Sequence, residues 1–563
     1  MRTIRTTGLA AAAALAVLLA ACSTGGGGEG STSGGSGDGT DTGSGEAAGL
    51  IGEDQMVGAM TDYGVGTTFK ATEPVDFGLL YRDHPNYPVK NDWLVLSEIE
   101  ANQNVTFTRT DVPLSDWDQK KALLISAGDA PDIISVTYPG QETQFVSGGA
   151  LLPVSDYFEY MPNFTQKVAD WGLQDELDTH KQADGKIYQL PGLREIPDVQ
   201  YTVAIRDDLW QKAGITDDPA TWDEFLEDLK TVQEANPDLS YAMSDRWTDS
   251  TTLGAFLNMM APNFGTTGGW DYNNTWFDHD SGEFVFTGTS DAYKELVTYA
   301  ASLVEAGVLD PEITQSDDQA VQKFVSGKSA AISGNTQTLS EYRTKLADSG
   351  NTEATVRLLT IPDGPAGNNL AGSQLSSGLL LSSKVADSPN LLALLQFVDW
   401  LYYSDEGIEF AAWGVEGTTY TKDADGTRHL MDDIGWSSLN PDAPKKLNAD
   451  FGFFNGVFLL ANGSTKDLLQ SVMTDEIKDW TNDVLAKKET LPVKPAAGLD
   501  DLELESSSLL DSQLKDAVQA ATAAFITGQR SLDTWDAYVS EINGLGAQQL
   551  IDTYNTAYQR TQG

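Results

Sequence analysis

Trp247, Trp270, Tyr272 and Trp276 fall in one stretch of the chain that is otherwise rich in Gly, Asn and Asp. Flat aromatic rings suit the apolar C–H faces of pyranoses, while Asp, Glu, Asn and Arg bond the hydroxyl rim, so such a stretch offers saccharide-binding chemistry. A Trp in polar, Gly-rich sequence is harder to explain as core than one on a helical stripe. Trp247, Trp270 and Trp276 are therefore candidate stacking residues, whereas Trp400 and Trp535, on apolar helical stripes, are assigned to core. The supply of rings is ample, with 13 Trp and 19 Tyr. Arg82, Asp83, His84 and Tyr87 lie in a polar loop after an apolar run, and Arg82 and Tyr87 are candidates for an opposing wall.

Other chemistries find less support. Gly327, Lys328 and Ser329 imitate the end of a phosphate-binding loop, but the earlier glycine position is Gln322 and a strand pattern follows. Asp423, Asp425 and Gly426 imitate part of a calcium loop, yet its first position is Thr421 and its last Asp432; a hairpin turn explains them better. His84, His180, His279 and His429 show no metal-ligand spacing, and Cys22 is the only cysteine, so no metal or cofactor is assigned. With 83 acidic against 35 basic residues, the net charge of −48 disfavours nucleic acid as a partner.

Cys22 ends an uncharged apolar run from Leu9 to Ala21 that follows Arg2 and Arg5. Such a run is too short to span a bilayer, which takes about 20 apolar residues, and has the shape of a secretory signal. Leu19-Ala20-Ala21-Cys22 resembles a lipobox, which implies removal of residues 1–21 and attachment of lipid to Cys22. Residues 23–49 hold twelve Gly, five Ser, four Thr, four acids and two Ala. The segment 22–49 reads as a flexible tether with a reach of about 30 Å.

The elements that must position the candidate residues begin near Val75. Val75–Tyr81, Val105–Thr110 and Ile133–Val136 read as strands, separated by helices over Asp92–Gln103 and from an N-cap at Ser115 to a stop at Gly128. This β-α-β-α-β order implies parallel strands with covering helices, and ligands in such sheets sit beyond the carboxyl ends of the strands. The loops after Tyr81, Thr110 and Val136 are thus candidate walls. Later segments read as helices with hairpins: a capping box at Thr221 and Glu224, a stripe from Tyr293 to Val304 that stops at Gly307, and a helix from Ser388-Pro389 to Tyr402.

GDAPDII from Gly128, YTVAIRDDLW from Tyr201, TWDEFLEDLK from Thr221, FVSGKSAAI from Phe324 and LLALLQFVDWLYYSDEGIEFAAWGVEG from Leu391 resemble extracellular solute-binding proteins of ABC importers. GVEGTTYTKDADG from Gly414 and FITGQRSLDTWDAYVSEINGLG from Phe525 are similar to the LplA/LipO-type carbohydrate-importer lipoproteins within that family. The resemblance implies an α/β, periplasmic-binding-protein-like fold of class II, with two lobes, parallel-rich sheets, covering helices and a helical C-terminal extension. It places lobe 1 at 72–198 plus 358–412 and lobe 2 at 199–357 plus 413–563. It further implies a monomeric receptor, anchored to the extracellular face of a bacterial membrane through Cys22. Such a receptor captures an oligosaccharide by hinge closure and hands it to the transmembrane subunits of an ABC permease. Trp413 and Glu416, in the segment similar to the family's return crossing, become ligand-binding candidates, Glu416 as a carboxylate accepting paired hydroxyls. Its plain alternative is a solvated turn residue. Related alginate receptors hold calcium, so the resemblance leaves room for a structural ion without a motif to mark it.

Two other classes compete. A lipid-anchored glycoside hydrolase or lyase needs a carboxylate pair about 5 to 10 Å apart, which 83 acids cannot rule out by sequence. A cell-wall adhesion module predicts internal repeats, and the sequence shows none.

Overall fold

The β-α-β-α-β stretch folds as its pattern requires. β1 (Val75–Asp83), β2 (Val105–Pro113) and β3 (Ile133–Thr137) are parallel, with β1 between the other two and helices Leu94–Gln103 and Trp117–Ser126 as the crossovers. The alternating strand β1 buries Phe77, Leu79 and Tyr81, and the short strand β3 is buried throughout, as expected when helices cover the sheet. Ser115 does not cap the second helix: a 3₁₀ turn, Leu114–Asp116, precedes it and the helix starts at Trp117. This is a computed structural model, and it describes residues 50–563 except Gln200, Asp249, Ser250, Ser437, Ser438, 459–462 and Gly563. The signal segment, Cys22 and the tether to residue 49 lie outside the described residues.

Five strands complete the large sheet in the order β2-β1-β3-β10-β4, where β4 is Gln189–Leu193 and β10 is Leu375–Leu381. β10 runs antiparallel to both β3 and β4, because the chain reaches it on its return from a second sheet. At Gly378 a register shift brings β10 so close to β4 that a Cβ there would sit 1.8 Å from the Leu190 carbonyl oxygen. Only glycine fits.

The second sheet places β5 (Tyr201–Arg206) between β8 (Ala331–Asn335) and β9 (Val356–Leu358), antiparallel to each. A separate hairpin joins β6 (Thr275–Asp278) to β7 (Glu283–Phe286). Around this sheet the predicted helices appear with their caps: Thr221 Oγ1 accepts from Glu224 N at 3.1 Å ahead of helix Trp222–Ala235, and Ser290 caps Asp291–Glu305. The helix after Pro389 starts at Leu391, with Asn390 as its N-cap. Helices Asp501–Ile526, Trp535–Gly544 and Ala547–Gln562 form the C-terminal extension, burying Leu514, Val518, Phe525, Trp535 and Leu550 against the second cluster.

Hydrophobic burial divides accordingly. One cluster surrounds the large sheet and takes residues from Ile51 to Leu193 and from Leu375 to Leu468. Another surrounds the second sheet and runs from Val199 to Leu370 and from Val484 to Leu550. Residues 413–468, expected with lobe 2, contribute Trp413, Tyr420, Ile434, Leu447 and Phe453 to the first cluster. The chain passes between the clusters between Leu193 and Val199, between Leu370 and Leu375, and again between Leu468 and Ile477. Two of these passages are stitched together: Arg194 N donates to the Gln374 carbonyl at 2.8 Å, and Glu195 N to that of Ser464 at 3.0 Å.

Candidate functional site

Three rings from three segments converge at the start of β5. Tyr201 meets Trp270 edge-on with ring centroids 5.0 Å apart, Tyr201 meets Trp247 at 5.7 Å, and Trp247 meets Trp270 at 5.7 Å. All three are half-buried, so each keeps part of its surface open. Trp247 is held firmly despite a left-handed backbone, φ +60°. Its N–H donates to Asp317 Oδ1 at 2.7 Å, and the Arg246 guanidinium lies 4.4 Å above its ring. Arg246 in turn reaches Asp317 and Glu341, each at 3.2 Å, and the Tyr342 hydroxyl at 3.0 Å. A non-glycine residue in this region costs about 1–3 kcal/mol, and such strain concentrates at functional sites.

Trp270 owes its seat to two glycines. A Cβ on Gly254 would lie 2.3 Å from Trp270 Nε1, and one on Gly269 would lie 2.0 Å from the Gly254 carbonyl oxygen. The glycine content of this stretch therefore lets the ring lie against backbone.

Tyr201 pairs across the sheet with Asn335, which lines a cavity of about 180 Å³ between the two clusters. Arg194 and Asp198, paired at 3.0 Å, line it on the passage between β4 and β5. Trp436 and Phe454 face it from the first cluster, their centroids 4.4 Å apart, and Phe454 has a left-handed backbone, φ +50°. Arg194 Nε and Ser464 Oγ, both buried on the lining, have no hydrogen-bond partner among the described residues, so polar capacity is left over for a ligand.

A second group of polar and aromatic side chains stands at the carboxyl end of the large sheet. Arg82 lies within electrostatic range of the Tyr87 hydroxyl, and Tyr87 stacks on His84 at 4.4 Å with an interplanar angle of 5°. Arg82 lies close to Gly456, where a Cβ would be 3.3 Å from its Nη2, which places it beside the segment carrying Phe454. Tyr138, just past β3, is 52% exposed and within electrostatic range of Tyr87.

The sequence candidates thus separate. Trp247 and Trp270 come together, and Arg82 and Tyr87 form one group. Trp276 lies on β6 across from Val285, in the hairpin that packs Phe277 against Tyr558 of the C-terminal helix. Trp413 is 1% exposed; its ring packs 5.7 Å from Tyr420 and its Nε1 donates to Ser471 Oγ at 3.0 Å, so it serves the first core. Glu416 sits on an exposed turn that bridges to Tyr420. Tyr201, Arg246, Trp436 and Phe454 were not singled out from sequence, although Tyr201 opens one of the quoted motifs and Tyr138 follows a strand whose loop was flagged. Among the described residues no group of three or more His, Cys, Asp or Glu could hold a metal ion, and no helix is long and apolar enough to cross a membrane.

Residues 89–407 match the family profile of bacterial extracellular solute-binding proteins. The chain is 23% identical over 522 residues to the fructooligosaccharide ABC transporter substrate-binding protein FusA of Streptococcus pneumoniae, covering 88% of this chain and 92% of that one. It is 22% identical over 470 residues to lipoprotein LipO of Bacillus subtilis, covering 80% and 86%. An extracellular solute-binding protein from Bifidobacterium longum subsp. infantis has a similar structure, with a TM-score of 0.66 at 18% identity over 87% of this chain and 99% of that one. The likeness establishes the class II periplasmic-binding-protein fold, with its antiparallel return strand β10.

Proposed function

The chain belongs to the family of bacterial extracellular solute-binding proteins, and from that premise we propose that it captures an oligosaccharide for an ABC importer. The observation that carries this reading is the ring cluster of Tyr201, Trp247 and Trp270 beside a cavity between the two hydrophobic clusters, faced by Trp436 and Phe454. Relatives that bind oligosaccharides, FusA among them, support it. The lobes follow the two clusters, so residues 413–468 move with the first lobe, and the three passages between clusters form the hinge. A ligand shifts the open and closed populations only by its differential affinity for them, so the glycan touches both walls.

The closed form then docks on the transmembrane subunits of the permease as a monomer, and the solute leaves without covalent change. The lipoprotein relative supports anchoring through acylated Cys22 at the extracellular face of the membrane. One acyl chain anchors only marginally and two give stable attachment.

Thermal-shift screening with a panel of glycans tests the reading. A ligand at a hundredfold its Kd adds about 2.7 kcal/mol of stability. A shift with at least one oligosaccharide, which is recovered intact, is the expected result; no shift across the panel, or released shorter products, overturns it.

A further inference from the structure

A second cavity, of about 400 Å³, lies between loops 139–143 and 179–183 of the large-sheet side and Phe284, residues 494–499 and Tyr554 of the extension side. Such a volume is within the range of small-molecule sites. Its walls hold buried polar groups with capacity unused. Glu142 is 1% exposed; Oε1 accepts from Gln182 Nε2 at 3.0 Å, and Oε2 has no hydrogen-bond partner among the described residues. His180 is 8% exposed, its Nδ1 has no well-formed hydrogen bond among the described residues, and burial holds its pKa down to about 4 against the pull of Gln189, so the ring is neutral.

On the opposite wall Lys494 Nζ donates to Thr275 Oγ1 at 3.0 Å and to the Thr275 carbonyl at 3.4 Å, and it sits 6.0 Å from the Phe284 ring centroid. Among the described residues no ion pair involves Lys494. Burial holds its pKa down to about 8, with only Asp511 pulling it back up. Lys494 is half-buried, and a partly desolvated ammonium without an ion pair among the described residues is costly, so an incoming carboxylate relieves that cost.

Lys121 stands near both Glu142 of the cavity and Arg82 at the carboxyl end of the large sheet. Its Nζ donates to Gln141 Oε1 at 2.7 Å. A chain lying along Arg82, Tyr87 and Tyr138 therefore runs toward Glu142. In a pyranuronate the C5 carboxylate projects from the side of the ring opposite the C2 and C3 hydroxyls. One ring thus offers an anion to Lys494 and hydroxyl donors to Glu142 Oε2 at the same time.

We propose that this cavity is a subsite for a uronic-acid unit of the captured glycan, with its carboxylate on Lys494 and its hydroxyls on Glu142. The proposal rests on the glycan-receptor reading and names the class of sugar that one position selects. The net charge of −48 opposes the approach of any anion, so the preference must come from this local contact.

Titration calorimetry with a neutral oligosaccharide and a uronate-bearing counterpart of equal length and linkage tests it. Wild type binds the uronate form about tenfold or more tightly. Lys494→Met removes that preference while leaving affinity for the neutral glycan unchanged, Lys494→Arg keeps it, and Trp270→Ala weakens both ligands. In wild type the preference fades as pH rises past 8, while neutral binding stays level, a readout independent of whether the variant folds. Equal affinity of wild type for both glycans, a preference that survives Lys494→Met, or equal loss of both ligands in that variant would overturn the proposal while leaving the receptor reading standing. Binding of neither glycan to wild type would sink both.

Discussion

Asp245 is 1% exposed, directly precedes Arg246 and Trp247, and neither of its carboxylate oxygens has a well-formed hydrogen bond among the described residues. Burial raises its pKa to about 7, against the pull of Ser333 and the backbone N–H groups of Arg246 and Phe256. In the unfolded chain the same carboxyl ionises near pH 3.9. Between those values the native state binds one proton more than the unfolded state, so stability falls as pH rises. The slope is about 1.4 kcal/mol per pH unit, and the total is about 4 kcal/mol by pH 7, after which the curve flattens. Asp245→Asn removes the titration and keeps the shape. Urea unfolding of both proteins from pH 4.5 to 8.5 should give a stability difference, wild type minus variant, that declines by that slope up to about pH 7 and then levels. Groups that titrate in both proteins cancel in the difference. Parallel curves across the whole range would show that the carboxyl is not held neutral and would refute the argument from burial.

Three further outcomes follow from the site. Trp270→Ala should weaken glycan binding by about tenfold or more with a modest loss of stability, measured by calorimetry, since central aromatic anchors carry much of a binding energy. Gly254→Ala should mimic it, because the new Cβ displaces the Trp270 ring, and overpacking of this kind costs about 1–3 kcal/mol in denaturant melts. Glu416→Ala, on its exposed turn, should leave affinity within about twofold of wild type, as surface changes do; a larger loss would restore it to the site.

Legibility in the sequence followed the strength of the local signal. The parallel strands and their crossovers were readable because alternation and helical spacing repeat cleanly from Val75 to Thr137, with strand ends extended to Asp83, Pro113 and Thr137, and helix starts moved where a 3₁₀ turn or a neighbouring Asn took over the cap. Trp247 and Trp270 stood out because polar, Gly-rich sequence gives a large ring no stripe to join. Trp413 misled for the converse reason: it ends a short helix, and only the packing of residues 413–468 on the first cluster shows that its ring is enclosed. Tyr201 looked like ordinary strand, and Trp436 and Phe454 reach the cavity through long-range packing that no local period encodes. The cavity of Glu142 and Lys494 was equally invisible, since those two residues lie more than 300 positions apart in the chain.

The central claim, a glycan clamped between two moving halves, is tested most directly by a distance across the cleft. Spin labels on Leu123→Cys, exposed on the large-sheet side, and Glu234→Cys, exposed on the second-sheet side, report it in a form of the protein lacking Cys22. The distance distribution should move to a single shorter population at saturating glycan and return when the glycan is removed. An unchanged distribution with glycan fully bound would contradict the account.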